Sequence, residues 1–351
     1  MKNYPIVSNR KIRAAIVGCG RISKNHFESI DKNKKYIELV SICEKNKKTL
    51  VKFQNSYNLK GYIDLGEMLK KENLDIVILC TPSGLHAQQA ILCAKYRVSV
   101  VTEKPMAIKL NDGKKMIKEF KKANTRLFVV LQNRKNKTLK LLKKAIIEKR
   151  FGKIHLLNIN VFWSRPQKYY DQAKWRGTKK YDGGALMNQA SHYVDLLTWL
   201  IGPVEKVHSL TSRTRKIEVE DTGVLNIKWR NGAIGSLNVT MLTYQKNLEG
   251  SIVIIGEKGT VRIGGTAVNK IEHWEFDQIK PYDKNINKAN YQSKSVYGLG
   301  HPLYYKNVIE TLRGKSSPDA DGIEGLKSLE IIIAAYLSSK KNRIVKLPLK
   351  I

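Results

Sequence analysis

The chain has 351 residues, 42% of them hydrophobic and 27% charged, the profile of an ordinary globular protein of one large or two average domains. No apolar run approaches the roughly 18 residues of a membrane span, and the start, MKNYPIVSNRKIR, lacks the apolar core of a signal peptide. A chain this long buries enough surface to need no disulfide or metal staple, so membrane, collagen-like, coiled-coil, disordered and disulfide-rich classes are disfavoured. A cytoplasmic location is expected.

The net charge is +34, and 49 of the 64 cations are lysine. Such an excess suggests nucleic acid. Recognition of bases and phosphates favours the arginine fork, however, and lysine is a strongly hydrated point charge. The lysines also spread along the chain on helix faces such as KKMIKEFKK. A solvated surface is the expected reading, with no nucleic-acid partner.

In chain order, strand-length apolar runs appear at IRAAIV, YIELVSIC, LDIVILC, RVSVVT and RLFVVL. Helical spacing fills the gaps, in SKNHFESIDK, KKTLVKFQNSY, GLHAQQAILCAK and DGKKMIKEFKKA. This alternation predicts βαβ units and a doubly wound parallel sheet buried on both faces. Cys19, Cys43, Cys80 and Cys93 all fall in this part, three of them in or just after strand runs, without CxxC spacing. Buried free thiols and no metal site are expected.

Near residues 131–136 the pattern changes. A basic helix (TLKLLKKAIIEK), a strand (IHLLNINVFW), a loop rich in Tyr, Arg and Trp, and an apolar helix (GGALMNQASHYVDLLTWL) follow. Residues 205–277 read mostly as strands separated by Gly and Asn-Gly turns. Helices around LYYKNVIETL and IEGLKSLEIIIAAYLSS finish the chain. Two domains are expected: 1–132, binding a dinucleotide, and 133–351, an α+β domain with a large, mostly antiparallel, open-faced sheet.

Directly after the first strand stands Gly18-Cys19-Gly20-Arg21-Ile22-Ser23. The dinucleotide fingerprint needs one glycine for the tight turn, one for close approach of the pyrophosphate, and a third small residue for helix packing. Gly18, Gly20 and Ser23 meet these needs, with Arg21 and Ile22 completing the cofactor turn. Glu44, at the end of the second strand, is placed to accept from both ribose hydroxyls and to repel a 2′-phosphate. NAD is therefore expected over NADP, although Lys45, Lys47 and Lys48 follow. Thr81-Pro82-Ser83 and Thr102-Glu103-Lys104-Pro105 end the fourth and fifth strands, at the height where ligands of open parallel sheets bind. Burial would lower the Lys104 pKa into a useful range for proton transfer.

Asn188 and His192 lie four apart on the apolar helix, hence on one face. In so apolar a helix both are buried unless they face a cavity; a packed core histidine is the plain alternative. In the preceding loop, Trp163, Arg165, Tyr169, Tyr170, Trp175 and Arg176 interleave arginines with rings. That set can stack a base or sugar and fork onto carboxylate or phosphate, or pack on itself as a rim.

Together, the glycine-rich turn, the EKP motif and the GG…H helix ahead of a large sheet resemble the Gfo/Idh/MocA oxidoreductase family over essentially the whole chain. The stretch SRPQKYYDQAKWRG…DGGALMNQASHYVDLLTWLIGPVE is similar to one branch, the UDP-N-acetyl-2-amino-2-deoxyglucuronate 3-dehydrogenases of the WlbA type. The resemblance implies NAD-dependent oxidation of a sugar 3-hydroxyl on routes to surface polysaccharides, with Lys104 and His192 as the acid/base residues. It also implies cofactor contacts at Glu103 and Lys104, substrate contacts at Lys104, Asn188, Gln189 and His192, a cis Lys104–Pro105 bond, and a homodimer or homotetramer. Arg165 and Arg176 are the expected ligands of the carboxylate or diphosphate, and Tyr169 is a further expected substrate contact. Polyol-oxidising members typically carry Asp where Asn188 stands. Asn cannot act as a base, so the proton work falls to Lys104 and His192, and which of them takes the proton stays open. Alternatives are another sugar or inositol dehydrogenase of the family, which would reject the UDP moiety, and a non-catalytic NAD-sensing regulator, which would turn nothing over.

Overall fold

A computed structural model describes residues 4–293, 296 and 298–350. The chain divides into two compact units, Met1–Leu131 with His301–Leu326, and Gln132–Gly300 with Lys327–Ile351.

The first unit contains strands β1 (Ile12–Val17), β2 (Ile37–Cys43), β3 (Lys60–Tyr62), β4 (Ile76–Leu79), β5 (Ser99–Thr102) and β6 (Leu127–Val129). Helices α1 (Ser23–Lys32), α2 (Lys47–Tyr57), α3 (Leu65–Lys71), α4 (Ser83–Lys95) and α5 (Leu110–Ala123) alternate with them. The sheet order is β3-β2-β1-β4-β5-β6, with every pair parallel. This is the dinucleotide-binding order, whose chain reversal lies between β1 and β4. Every residue of β4 and β5 is buried, as a parallel sheet covered on both faces requires. On α5, Met116 and Phe120 are buried one turn apart, while Lys114, Lys115, Lys118, Lys121 and Lys122 are exposed. The lysine run is thus the outer face of an amphipathic helix. All four cysteines are free and buried, and burial pushes the Cys19 and Cys43 thiols up to about 12.

The helix His301–Leu312 also belongs to the first unit. The sequence reading puts it in a contiguous second domain. The difference lies in its buried polar face: Tyr305 Oη is 2.7 Å from His26 Nδ1 of α1, and His301 faces Glu103 at 3.9 Å. Chain order carries no trace of this return.

The second unit contains α6 (Lys137–Ile147), α7 (Gln167–Asp171) and α8 (Ser191–Leu196). The helix of the first unit just described is α9, and α10 (Gly322–Lys341) spans the division between the units. The second sheet comprises β7 (Ile154–Phe162), β8 (Val204–Ser212), β9 (Thr222–Trp229), β10 (Ile234–Thr240), β11 (Glu249–Gly256), β12 (Gly259–Gly264), β13 (Lys270–Phe276) and β14 (Val345–Lys346). Its order is β13-β12-β11-β7-β10-β9-β8-β14. β7 and β10 pair in parallel and the other neighbours are antiparallel.

Alternation sets the two faces of this sheet. Leu157, Ile159 and Val161 of β7 and Leu237 and Val239 of β10 point into the core. Their neighbours form a polar ladder on the other face: Asn158 Nδ2 donates to Ser236 Oγ at 2.7 Å, and Asn238 Nδ2 donates to Asn160 Oδ1 at 3.0 Å. The segment 185–201 meets the core side, where buried Trp229 donates its Nε1–H to Leu197 O at 3.1 Å. Among the described residues, no helix is long and apolar enough to cross a membrane.

Candidate active site

In the first unit the glycine-rich turn joins β1 to α1. Gly18 has φ +89°, and a Cβ there would sit 3.0 Å from the Cys80 carbonyl and the Thr81 methyl. Only glycine tolerates that backbone and that approach. At Gly20 a Cβ would meet nothing within 4 Å, so open space lies where a pyrophosphate approaches this backbone. Ser23 is fully buried and donates to Gly20 O at 2.7 Å, performing the close-packing task of the third small residue. Arg21 is exposed and Ile22 half-buried on the same turn.

The Glu44 carboxylate reaches this turn. Its Oε2 accepts from Cys19 N at 2.8 Å and its Oε1 from Asn46 N at 2.9 Å. The acid of the second strand therefore stands beside the glycines. Thr81 and Pro82 flank the Gly18 contact at the end of β4. Buried His86 lies between the carbonyl oxygens of Thr81, at 2.8 Å, and Pro105, at 2.9 Å, joining the ends of β4 and β5. Burial pushes the His86 pKa down.

Lys104 follows β5, half-buried, and its bond to Pro105 is cis. Its backbone N–H donates to Glu103 Oε2 at 3.2 Å. The Glu103 carboxylate is buried, with His26 Nε2 at 3.0 Å and His301 beside it. Burial acts to raise its pKa, but the hydrogen bonds and charges of the two histidines outweigh that and hold it well below the ordinary range. A side chain so engaged is a brace between α1, β5 and α9. Sequence reasoning missed His26, His301 and Tyr305, which are up to 279 positions apart.

In the second unit, Gly183 and Gly184, at φ +89° and +97°, open the segment that carries the remaining candidates. It is not one regular helix. Ala185–Gln189 and Leu197–Ile201 are π-helical, flanking α8. Ala190 N donates to Ala185 O, five residues back, at 2.9 Å. The entry is held by Glu220, whose backbone O accepts from Ala185 N and whose Oε1 accepts from Leu186 N. Such π-turns concentrate at functional sites, and the helical periodicity of the sequence does not distinguish them.

Asn188 is half-buried, and its amide nitrogen donates to buried Asp182. Asp182 also accepts from Gly177 N at 2.6 Å. His192 is buried, its Nε2 3.1 Å from Gln132 Nε2. Nearby, Gln189 accepts from Arg165 Nε at 3.2 Å and donates to Tyr169 Oη at 3.2 Å. Arg165 lies 5.4 Å and Arg176 4.3 Å from the centre of the Tyr169 ring. Two guanidiniums held on one ring make a pocket of positive charge suited to an anion. The structure thus gathers Arg165, Tyr169, Arg176 and Gln189, and supplies Asp182, Gln132 and Glu220, which lack any local motif.

The chain matches two family models. The NAD-binding Rossmann fold of the Gfo/Idh/MocA oxidoreductase family covers residues 12–131, and its C-terminal alpha/beta domain covers residues 143–347. Among solved structures, the WlbA dehydrogenase of Chromobacterium violaceum, crystallised with NADH and UDP-GlcNAcA, is 55% identical over all of both chains, with a TM-score of 0.96. The WlbA dehydrogenase of Bordetella pertussis, with the same two ligands, is 54% identical over 98% of this chain and 100% of that one, also with a TM-score of 0.96. Among curated relatives, myo-inositol 2-dehydrogenase of Thermotoga maritima is 26% identical over 96% of this chain and 98% of its own.

Proposed function

The chain belongs to the Gfo/Idh/MocA oxidoreductase family, and on that premise we propose that it oxidises the 3-hydroxyl of a UDP-linked N-acetylated sugar, a uronic acid such as UDP-GlcNAcA. The observation that carries the reading is the full-length likeness to a dehydrogenase crystallised with NADH and that nucleotide sugar.

The residues of the first unit fit a dinucleotide. The open space at Gly20 and the amides opening α1 suit the pyrophosphate, and Glu44 suits the adenosine ribose. NAD, when bound, supplies the hydride acceptor. Lys104 and His192 are the groups proposed to handle the proton of the 3-hydroxyl. Asn188, its nitrogen committed to Asp182, holds orientation and cannot act as a base. Arg165, Arg176, Tyr169 and Gln189 are proposed to receive the diphosphate or the uronate carboxylate. The product, a 3-keto sugar nucleotide, suits the building of surface polysaccharides.

The experiment is anaerobic mixing of protein, NAD and a panel of UDP-sugars and free polyols, followed by NADH absorbance. NADH formation with UDP-GlcNAcA and not with myo-inositol supports the proposal. The reverse favours the inositol reading, for which the Thermotoga maritima relative speaks. NAD binding with no turnover on any sugar would leave a regulator. We also propose a homo-oligomer, resting on apolar side chains exposed on the second sheet, Leu210, Val224, Ile234 and Ile255. Light scattering on the eluting protein tests it, and a 40 kDa particle rejects it.

A further inference from the structure

We propose that Gln132 is a positioning residue for His192, and that its carboxamide serves both protonation states of the imidazole. The inference rests on the acid/base role proposed for His192. Gln132 Nε2 lies 3.1 Å from His192 Nε2, and the two side chains are 1% and 7% exposed. A carboxamide nitrogen has only hydrogens to offer. With the amide in this orientation the contact is a donation from Gln132 to the Nε2 lone pair, and the neutral ring then carries its proton on Nδ1.

The other end of the same amide completes the argument. Gln132 Oε1 is buried with no hydrogen-bond partner among the described residues. Buried acceptors are rarely left so, because the lost hydration is costly. The last torsion of a Gln side chain is broad and two-fold. A half-turn about it exchanges the nitrogen and oxygen in nearly the same space; Oε1 then accepts from Nε2–H, and the lone pair of the neutral ring lies on Nδ1, the atom that takes the proton of the substrate hydroxyl. Oε1 keeps that one bond before and after the ring takes its proton, and the ring keeps its orientation.

The backbone around the pair is pinned within the second unit. Gln132 opens the 3-10 turn Gln132–Lys135. Two residues on, Arg134 forks onto Asp195 of α8 at 2.8 and 2.6 Å. Ser328 of α10 donates to the same Asp195 at 3.2 Å. Arg134 and Asp195, the charges on the elements that hold the pair, are bonded to one another. Lys135 is the other cation of the 3-10 turn, Ser328 is neutral, and the π-segments on either side of α8 carry no titratable side chain.

The test uses Gln132→Met, which keeps the shape but neither polar end, and Gln132→Glu, which keeps an acceptor and adds charge. Melting temperature and NADH affinity check that each variant is folded. In Gln132→Met, kcat should fall by about two- to tenfold, the usual worth of one hydrogen bond, with little change in KM. In Gln132→Glu, the His192 titration followed by NMR should move up by about one pH unit or more, and the rising limb of the kcat profile for oxidation should move with it. An unmoved titration in Gln132→Glu, while His192→Ala still costs turnover, overturns this inference alone. A moved titration with an unmoved kcat profile overturns the catalytic role of His192, and the use made of Gln132 with it.

Discussion

Glu103 in the first unit and Glu220 in the second are both drawn out of water, and they respond in opposite directions. Around Glu103 stand His26 and His301, and the carboxylate stays well below the ordinary range despite burial. Around Glu220 the donors are the Leu186 amide and the Tyr336 hydroxyl, with Asp182 adding a like charge. There burial wins, and the carboxyl is pushed up to about 7. Desolvation alone therefore does not decide ionisation; whether the partners can carry charge does. The first unit holds its EKP segment through imidazoles, with the His301 pKa pushed down by burial, and the second holds its π-helical entry by neutral donors.

The sharpest way to probe the two regions is to remove the proton-handling candidate from each. Lys104→Ala and His192→Ala should each lower kcat by about 10²–10⁴. The double variant should fall well short of the product, because residues acting as a unit are not additive. NAD affinity and melting temperature should survive in His192→Ala. Near-normal turnover with lost thermal stability would mark a packed core histidine instead.

The brace comes next. His26→Ala takes the nearest partner from a buried carboxylate, and should cost about 3 kcal/mol of stability by thermal or urea unfolding. Replacing both members, as His26→Ala with Glu103→Gln, should be milder than His26→Ala alone, since no charge is then stranded. A harmless His26→Ala would break the contrast between the two glutamates. The contribution of Glu103 is present above the unfolded carboxyl value, about 4.3, and is lost as pH falls below it.

Cofactor choice is a smaller effect. With Glu44 against the glycine turn, NAD should bind at least about tenfold tighter than NADP, roughly 1.4 kcal/mol, and Glu44→Gln should narrow the gap. Equal affinities in calorimetry would show that Lys45, Lys47 and Lys48 override the carboxylate.

Glu220 provides an effect of opposite sign to Glu103. A group raised in the folded state contributes stability below its unfolded value, and loses it as pH rises through about 7. Stability should thus decline between about pH 4.5 and 7, by at most about 1.4 kcal/mol per pH unit. Glu220→Gln should flatten that decline. An unchanged pH profile in this variant would place the Glu220 carboxyl in the ordinary range.

By itself the sequence determined what short-range hydrogen bonding and periodicity control. The parallel sheet was legible because its strands are continuous apolar runs, and the outer faces because lysines recur at helical spacing. Gly18, Gly20 and Ser23 declared the nucleotide turn, since its steric needs are local, and Glu44 could be counted to the end of β2. The tertiary structure alone decided what depends on distant segments meeting. It brought α9 back to the first unit and set His26 and His301 on Glu103. It interrupted an apparently uniform helix with π-turns and set the Glu220 carboxylate and backbone on its first amides. It laid Gln132 against His192, sixty positions on. Burial and partner charge are properties of the folded surroundings, and no local pattern in the chain encodes them.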